Sequence, residues 1–232
     1  MAPQPSPPSP EELIRWAEAS VRSRANLLGR GYQAALYINR EVQPPLVIKA
    51  ATGVAPVRAF RAFMLRREHR AYSRLDGVRG VPRCLGLLAG RFLVLEYVEG
   101  ISRKEAEIAD REAFFAELLG VIRELHRRGV AHGDIQKRDN LLVVEGRHPC
   151  VLDFGAAVVR ADGASPLNRW LFGFLARLDL NTWVKLKHQG RIDEATPEDL
   201  ALYRRTWLEK AARAVKKTYT APRRWWRRVR AR

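Results

Sequence analysis

Residues 130–144 read VAHGDIQKRDNLLVV, and they place a charged segment between two apolar runs. A Leu- and Phe-rich segment typical of a helix precedes them, and a Leu/Val segment typical of a strand follows. Loops held between buried elements often carry chemistry, because a rigid scaffold fixes their polar side chains. An ordinary polar turn has a similar composition, so this stretch alone leaves both interpretations open.

The composition indicates a folded protein in a reducing compartment. The chain has 232 residues, of which 47% are hydrophobic, enough for one or two domains with a core. Cys84 and Cys150 lie beside apolar residues without metal-site spacing, so we expect buried, reduced thiols. The start, MAPQPSPPSP, lacks the features of a secretory signal, and no apolar run is long enough to span a bilayer. We therefore expect a cytoplasmic location.

Most of the positive charge lies in the last part of the chain. Of the formal charge of +17, residues 204–232 carry +11, with 12 Lys/Arg and the single acid Glu209. The basic tail at 222–232, PRRWWRRVRAR, favours an anionic membrane surface, where Trp rings and cations meet lipid headgroups. We therefore expect a cytoplasmic protein that also associates peripherally with the inner membrane. Nucleic acid is a weaker alternative, through phosphate contacts and base stacking.

The pattern of elements predicts an α+β fold. Ser9 and Glu12 form a capping-box signature at the start of the first helix. The predicted helices cover about 9–25, 57–75 and 111–128 and the chain from 165 onward; the predicted strands lie within 25–31, 33–40, 45–51, 83–90 and 91–99, with a hairpin in 140–155. A strand-rich half followed by a helix-rich half favours two lobes.

Three charged residues interrupt apolar patterns. Lys49 lies inside the strand LVIKAA, where it needs an ion pair or a cleft, or else snorkels to water from an edge strand. On the long helix, Glu68 shares a face with apolar positions such as Phe60 and Met64, and Lys49 is a candidate partner. Asp153 ends a strand and precedes Phe-Gly, which fits a metal ligand or a plain turn residue.

Two glycines, Gly29 and Gly31, lie between the first two predicted strands. Backbone N–H groups in such a turn can hold phosphate. A lone G-x-G is a weak signal, because hairpin turns use glycine for many reasons.

In this order, the motifs resemble those of the protein-kinase-like superfamily over about residues 27–156. VIK resembles its third-strand lysine motif, HGDIQKRDN its catalytic loop H-R-D-x-x-x-x-N, and FLVLEYVEG its hinge, while DFG is intact. The H-G-D form resembles small atypical bacterial branches, RIO-like or lipopolysaccharide-core kinase-like.

The resemblance implies two lobes, a small β-rich N-lobe and a reduced helical C-lobe. The expected division is a disordered Pro-rich start at 1–8, an N-terminal helix and N-lobe at 9–99, a C-lobe at 100–221 and the basic tail.

The resemblance also implies that ATP and Mg²⁺ are cofactors, and it implies a set of site residues. Lys49 would hold the α- and β-phosphates, Glu68 would fix Lys49, and Asp134 would orient the acceptor hydroxyl. The remaining roles are Lys137 at the γ-phosphate, Asp153 and Asn140 at the metal, Gly29 and Gly31 at the phosphates, and backbone groups around Glu96 and Val98 at adenine.

The sequence departs from the family pattern at several places. The third glycine of the turn is Ala34. Asp139 holds the usual place of the metal-binding Asn, and Asn140 follows one residue later, so Asp139 remains an alternative ligand. There is no A-P-E motif, although ATPEDL at 195–200 resembles a helix start, and the short C-terminal part leaves the usual peptide platform in doubt.

We therefore expect an ATP-dependent kinase whose acceptor is a protein Ser/Thr or a lipopolysaccharide-core sugar. The alternatives are a kinase-fold binding module without catalysis and a nucleic-acid-binding protein that acts through its tail.

Overall fold

The computed structural model describes residues 8–31 and 34–204. The chain divides into two compact units, the first ending at Asp179 and the second beginning at Leu180. The expected division at 99/100 falls inside the first unit and stays a prediction, as do the limits at 8/9 and 221/222.

The N-terminal region is built on one antiparallel sheet of five strands in the order β1-β2-β3-β5-β4. The strands are β1 Leu27–Arg30, β2 Ala35–Asn39, β3 Leu46–Ala50, β4 Cys84–Leu88 and β5 Phe92–Glu96. Side chains alternate between the faces of a strand. In β3, Ile48 and Ala50 belong to the apolar core on one face of the sheet, and Lys49 therefore points to the other.

Helix α1, Pro10–Ser23, covers one face of this sheet. The predicted capping box is present: the Ser9 N–H donates to Glu12 Oε2 at 2.7 Å, and the Glu12 N–H donates to Ser9 Oγ at 3.3 Å. Leu13 and Ala17 of α1 join the buried core of the sheet. The N-terminal helix is thus part of the sheet's hydrophobic core.

Helix α2, Ala55–Arg74, buries Leu65, Glu68 and Ala71. The predicted apolar face was wrong in part, because Phe60 is nearly half exposed. Residues 53–60 are all exposed, so none of the elements within 8–31 and 34–204 covers the beginning of this helix. In this part of α2 the apolar side chains of the sequence pattern are therefore not buried.

The following segment contains helix α3, Arg111–Arg127, and two small sheets. Strands β6 Ile101–Ser102, β8 Leu141–Val144 and β9 His148–Val151 form one sheet, and β7 Val130–Ala131 pairs with β10 Val158–Val159 in the other. The predicted hairpin corresponds to β8 and β9. The two-residue strands β6, β7 and β10 were not predicted, because they are too short to show a period.

Two further helices follow, α4 Pro166–Lys187 and α5 Pro197–Leu202. Thr196 caps α5 by accepting from the Asp199 N–H at 3.3 Å, as the ATPEDL pattern predicts. The prediction of helix to the chain end falls beyond the described residues from 205 onward, as do Trp225, Trp226 and the whole basic tail.

The fold is α+β, with a β-sheet N-terminal region followed by a largely helical part, as the sequence predicts. Among the described helices, none combines the length and apolarity needed to cross a membrane. Both cysteines are free; Cys150 is buried, whereas Cys84 is only half-buried.

Candidate active site

Lys49 is the centre of a buried ion-pair network in the first unit. Its Nζ lies 2.5 Å from Glu68 Oε1 and 2.9 Å from Asp153 Oδ1. Lys49 and Glu68 are both buried, so neither charge is stable there without the other. The alternation of β3 and the buried stripe of α2 aim the two side chains at each other, which is the pairing that the sequence suggested.

Burial and ion pairing shift the pKa values of all three groups in this network. Burial alone would lower the pKa of Lys49, but the carboxylates of Glu68 and Asp153 raise it above its ordinary value. Burial would likewise raise the pKa of Asp153, but Lys49 and then Lys137 outweigh it and lower the pKa to about 2. Burial raises the pKa of Glu68, opposed by Lys49. Asp153 is therefore an ionised oxygen donor, suited to a divalent cation.

Asp153 adopts an unusual backbone conformation. Its φ of 64° and ψ of 76° lie in the left-handed region, which is costly for a residue with a Cβ. The next residue, Phe154, is buried between the rings of Tyr72 and His132, with centroid distances of 5.0 and 4.8 Å. The packing of Phe154 and the lysine contacts of Asp153 together stabilise this turn.

His132 connects the loop after β7 to the segment between β9 and Asp153. Its Nδ1 accepts from the Asp134 N–H at 3.2 Å, so the ring proton is assigned to Nε2, which lies 2.9 Å from the carbonyl oxygen of Leu152 and donates to it. His132 is completely buried and does not line the cavity described below. Its two ring contacts hold the loop against the segment that leads to Asp153.

Asn140 lies against Asp134. Its Nδ2 donates to the Asp134 carbonyl at 2.9 Å and to Asp134 Oδ2 at 3.3 Å. A short 3₁₀ helix, Arg138–Asn140, accommodates the one-residue-longer loop. Asn140 is buried against Asp134, whereas Asp139 is exposed.

These side chains surround a cavity of about 140 Å³. It is lined by Gly31, Ala34, Leu36, Lys49, Glu68, Asp134, Lys137, Asp153 and Ala156. Lys137 Nζ reaches Asp153 Oδ2 at 3.4 Å. The structure thus brings together six of the predicted site residues: Gly31, Lys49, Glu68, Asp134, Lys137 and Asp153.

Four other predicted residues do not line this cavity, and one of them is Asn140, whose amide contacts Asp134. Gly29 lies within β1, opposite Leu36. The side chain of Glu96 accepts from the Arg83 N–H at 3.1 Å and faces a different cavity, and Val98 follows β5. Any contact of residues 96–98 with a base would therefore use their backbone groups, as the resemblance implies.

The donor set fits a magnesium ion shared with phosphate oxygens. Among the described residues, no group of three or more His, Cys, Asp or Glu side chains forms a metal cage. Mg²⁺ commonly binds through one or two carboxylates plus substrate phosphates and water. Asp153 and the amide oxygen of Asn140 are donors of this kind.

Asp179 of α4 was missed by the sequence analysis. Its two carboxylate oxygens accept from the backbone N–H groups of His132 and Gly133, at 2.8 and 2.7 Å, and His126 Nε2 lies 3.0 Å from Oδ2. Asp179 is 1% exposed. The available signal was an acid inside the apolar helical run FLARLDLNTW, which requires a buried partner.

Known proteins similar to this chain are kinases. CBL-interacting protein kinase 29 of Oryza sativa subsp. japonica is 30% identical over 161 residues, covering 60% of this chain and 35% of that protein. A 3-deoxy-D-manno-octulosonic acid kinase of Xanthomonas campestris pv. campestris is 30% identical over 131 residues, covering 54% and 50%. Serine/threonine-protein kinase D of Synechocystis is 36% identical over 69 residues, covering 28% and 14%.

These matches are partial. The chain spans about a third of the plant kinase and half of the bacterial sugar-acid kinase. No protein-family model matches the chain. The identities are low and do not distinguish a RIO-like branch from the others. Together with the α+β fold, the similarities support a relationship of this chain to the protein-kinase-like superfamily.

Proposed function

We propose that the protein is an ATP- and Mg²⁺-dependent kinase that transfers the γ-phosphate to a hydroxyl acceptor. The observation that carries this proposal is Lys49, bound at once to Glu68 and Asp153, in one cavity with Asp134. Phosphoryl transfer needs positioning and charge neutralisation more than covalent chemistry. Two lysines and three carboxylates around one small cavity supply both.

The contacts of Asp153 suggest how Mg·ATP would be received. Each oxygen of Asp153 faces a lysine, Oδ1 toward Lys49 and Oδ2 toward Lys137. Phosphate oxygens would become the anionic partners of Lys49 and Lys137. The Asp153 carboxylate would then be available to hold the metal. Glu68 would keep Lys49 oriented during this exchange, because its contact is the shortest in the network and the most buried.

Asp134 is the group we assign to the acceptor. It lines the cavity, and one of its oxygens accepts from the Asn140 amide. This contact holds the carboxylate in place while leaving lone pairs for a hydroxyl. Gly31 borders the same cavity, where its lack of a side chain would leave room for phosphate oxygens; its own N–H donates to the Ala34 carbonyl at 2.9 Å. Gly29 lies two residues earlier, in β1.

The acceptor class is a protein Ser/Thr or a lipopolysaccharide-core sugar. Relatives of both kinds support the two options, since some are named as serine/threonine-protein kinases and others as 3-deoxy-D-manno-octulosonic acid kinases. The missing A-P-E motif favours the sugar, because that region forms part of the peptide platform in regulated protein kinases. We place the activity in the cytoplasm, with a peripheral association at the inner membrane.

The proposal is tested with γ-labelled ATP and a fractionated bacterial extract, with Mg²⁺ and with the metal chelated. We expect metal-dependent label in a protein or glycolipid fraction. Mg·ATP binding without transfer to any fraction would indicate a binding module. Label in neither arm and no Mg·ATP binding would contradict the proposal, and salt-sensitive nucleic-acid binding would then favour the tail-based alternative.

The metal role of Asn140 gives a second prediction. Asn140→Ala should raise the Mg²⁺ concentration needed for half-maximal transfer by about 10- to 100-fold, because it removes an oxygen ligand. Asp139→Ala, one residue earlier and exposed, should change it by less than about twofold.

A magnesium titration of the transfer rate measures both variants. Asn140→Asp serves as the rescue variant, because it restores an oxygen ligand. The reverse ranking of the two alanine variants would assign the metal to Asp139.

A further inference from the structure

A second cavity lies next to the candidate active site, within the first unit. Its volume is about 340 Å³, in the lower part of the range of small-molecule sites, about 300–1,000 Å³. Gly31 and Ala34, which are joined by a hydrogen bond, line both this cavity and the candidate active site, so the two cavities are neighbours. The lining residues of the second cavity are Val21, Arg24, Gly31, Ala34, Ala35, Tyr37, Thr52, Gly53 and Arg61. We call it the arginine cavity.

The charged groups that line the arginine cavity are two guanidinium groups. Arg24 follows the last residue of α1, and Arg61 lies on α2. None of the nine lining residues is an Asp or Glu, and residues 1–7 and 32–33 of the first unit contain no acid either. In the candidate active site, by contrast, three carboxylates offset two lysines. The arginine cavity therefore carries two positive charges and no lining carboxylate.

Contacts with the segment after β3 hold Arg61 at the cavity wall. Its Nη1 donates to the Thr52 carbonyl at 3.0 Å and to Thr52 Oγ1 at 3.3 Å. The same nitrogen lies 3.6 Å from the position that a Cβ would take at Gly53, so the guanidinium group also packs over this glycine. Arg61 is thus oriented before a ligand arrives, which lowers the entropy lost on binding.

Tyr37 brings a hydroxyl group to the arginine cavity. Its ring belongs to the core of the sheet, and the residue is 2% exposed. Within residues 8–31 and 34–204 its hydroxyl has no hydrogen-bond partner, and the unpaired side-chain atom that is sealed from solvent there is Asn168 Oδ1 instead. The Tyr37 hydroxyl therefore opens into the cavity that the residue lines. Because buried polar groups are normally paired, we expect a ligand or water at this hydroxyl.

We propose that the arginine cavity binds a compact oxyanion, a phosphate or carboxylate group, which Arg24, Arg61 and the Tyr37 hydroxyl hold. Guanidinium groups bind such oxyanions through charge-assisted hydrogen bonds, often two at a time. A cationic ligand would be repelled by both arginines. The proposal concerns binding alone and does not depend on the proposed kinase activity.

The oxyanion has two sources. One is a free anion in solution. The other is an anionic group of the acceptor itself, whose hydroxyl would then lie in the neighbouring cavity near Asp134. This second source rests on the proposed function.

Calorimetric titration of the full-length protein with sodium phosphate, at constant ionic strength, tests the proposal. The site variants are Arg24→Gln/Arg61→Gln and Tyr37→Phe. The matched control is Arg22→Gln/Arg58→Gln. It makes the same change of charge at the same two helices, at exposed residues that do not line the cavity. The basic tail is present in every protein, so its contribution is constant.

We expect Arg24→Gln/Arg61→Gln to bind phosphate at least about tenfold more weakly than the wild type, because it removes the charge-assisted hydrogen bonds. Tyr37→Phe removes one neutral donor and should weaken binding by about two- to tenfold. The control should stay within about twofold of the wild type. Equal affinity in the wild type, the arginine variant and the control would overturn the proposal, as would no binding to the wild type up to about 10 mM phosphate.

Urea unfolding shows whether each variant is folded. Arg24→Gln alone is the second variant, because it leaves the contacts of Arg61 with Thr52 in place. It should weaken phosphate binding by about three- to tenfold. Lys49 and Lys137 are the alternative site for phosphate. Phosphate binding that Mg·ATP abolishes and that Arg24→Gln leaves unchanged would overturn the proposal in favour of the candidate active site.

Transfer of label from ATP to the responsive fraction of the extract distinguishes the two sources. If the anionic group of the acceptor occupies the cavity, phosphate should inhibit competitively with the acceptor, and Arg24→Gln/Arg61→Gln should raise the KM for the acceptor more than it lowers kcat. If a free anion is the ligand, phosphate should not compete with the acceptor. Phosphate binding that depends on the two arginines, without transfer by any protein, would end the kinase proposal and leave the anion site standing.

Discussion

Asp134→Asn is expected to lower phosphoryl transfer by about 10²- to 10⁴-fold, the range typical of losing a group that orients or accepts a proton. The substitution keeps the shape of the side chain and removes its charge. Mg·ATP affinity should change only a few-fold, because the contacts of Lys49 and Asp153 do not involve Asp134. Single-turnover transfer and Mg·ATP binding, measured on the same preparation, separate the two effects.

Asp139→Asn is the matched control for this experiment. It makes the same chemical change on the same loop, at an exposed position. We expect it to retain transfer within about twofold. If Asp134→Asn transferred phosphate at the wild-type rate, Asp134 would have no role in the chemistry, and the proposed mechanism would fail.

Asp179→Ala is expected to have the largest effect on stability. It removes the acceptor for the N–H groups of His132 and Gly133 and the partner of His126, all in buried or half-buried surroundings. Leaving buried donors unpaired costs about 1–3 kcal/mol each, so the free energy of unfolding should fall by about 3–5 kcal/mol. Transfer should fall as well, because Asp134 is the next residue of the loop.

Urea unfolding measures the stability change, and Mg·ATP-dependent transfer measures the functional one. Asp179→Asn is the informative second variant, since it keeps one acceptor oxygen and should lose roughly half as much stability. Asp162→Ala, at an exposed acid before α4, is the control. Wild-type stability in Asp179→Ala would show that water replaces the carboxylate without cost.

The part of the site that could be predicted consists of charges placed inside apolar patterns. Lys49 interrupts the apolar residues of β3, and Glu68 lies among the apolar positions of α2. A charge buried in such a place needs a counter-charge. The pairing of these two residues is confirmed by the structure. Asp153 and Asn140 were recognised through their motifs, and only their positions, not their roles, are now established.

Asp179 could not be predicted in its role, because its partners are backbone N–H groups. Such groups are the same in every residue, so no sequence pattern shows that this loop needs a hydrogen-bond acceptor 46 and 47 residues downstream. The error at Phe60 has a related cause. A helical period shows which residues share a side, but not whether another element covers that side.

Because side chains alternate along β3, the same strand register places its core residues on one face and Lys49 of the candidate site on the other. Ile48 and Ala50 fill the layer beneath α1, and Lys49 between them enters the cleft. Inserting one residue within this strand would exchange the two sets, sending a cation into the core and an isoleucine toward the phosphates. The connection at residues 40–45 can absorb a change in length, because it lies outside the paired strands. We therefore expect a one-residue insertion within β3 to impair both folding and the candidate site, and an insertion at residues 40–45 to be tolerated.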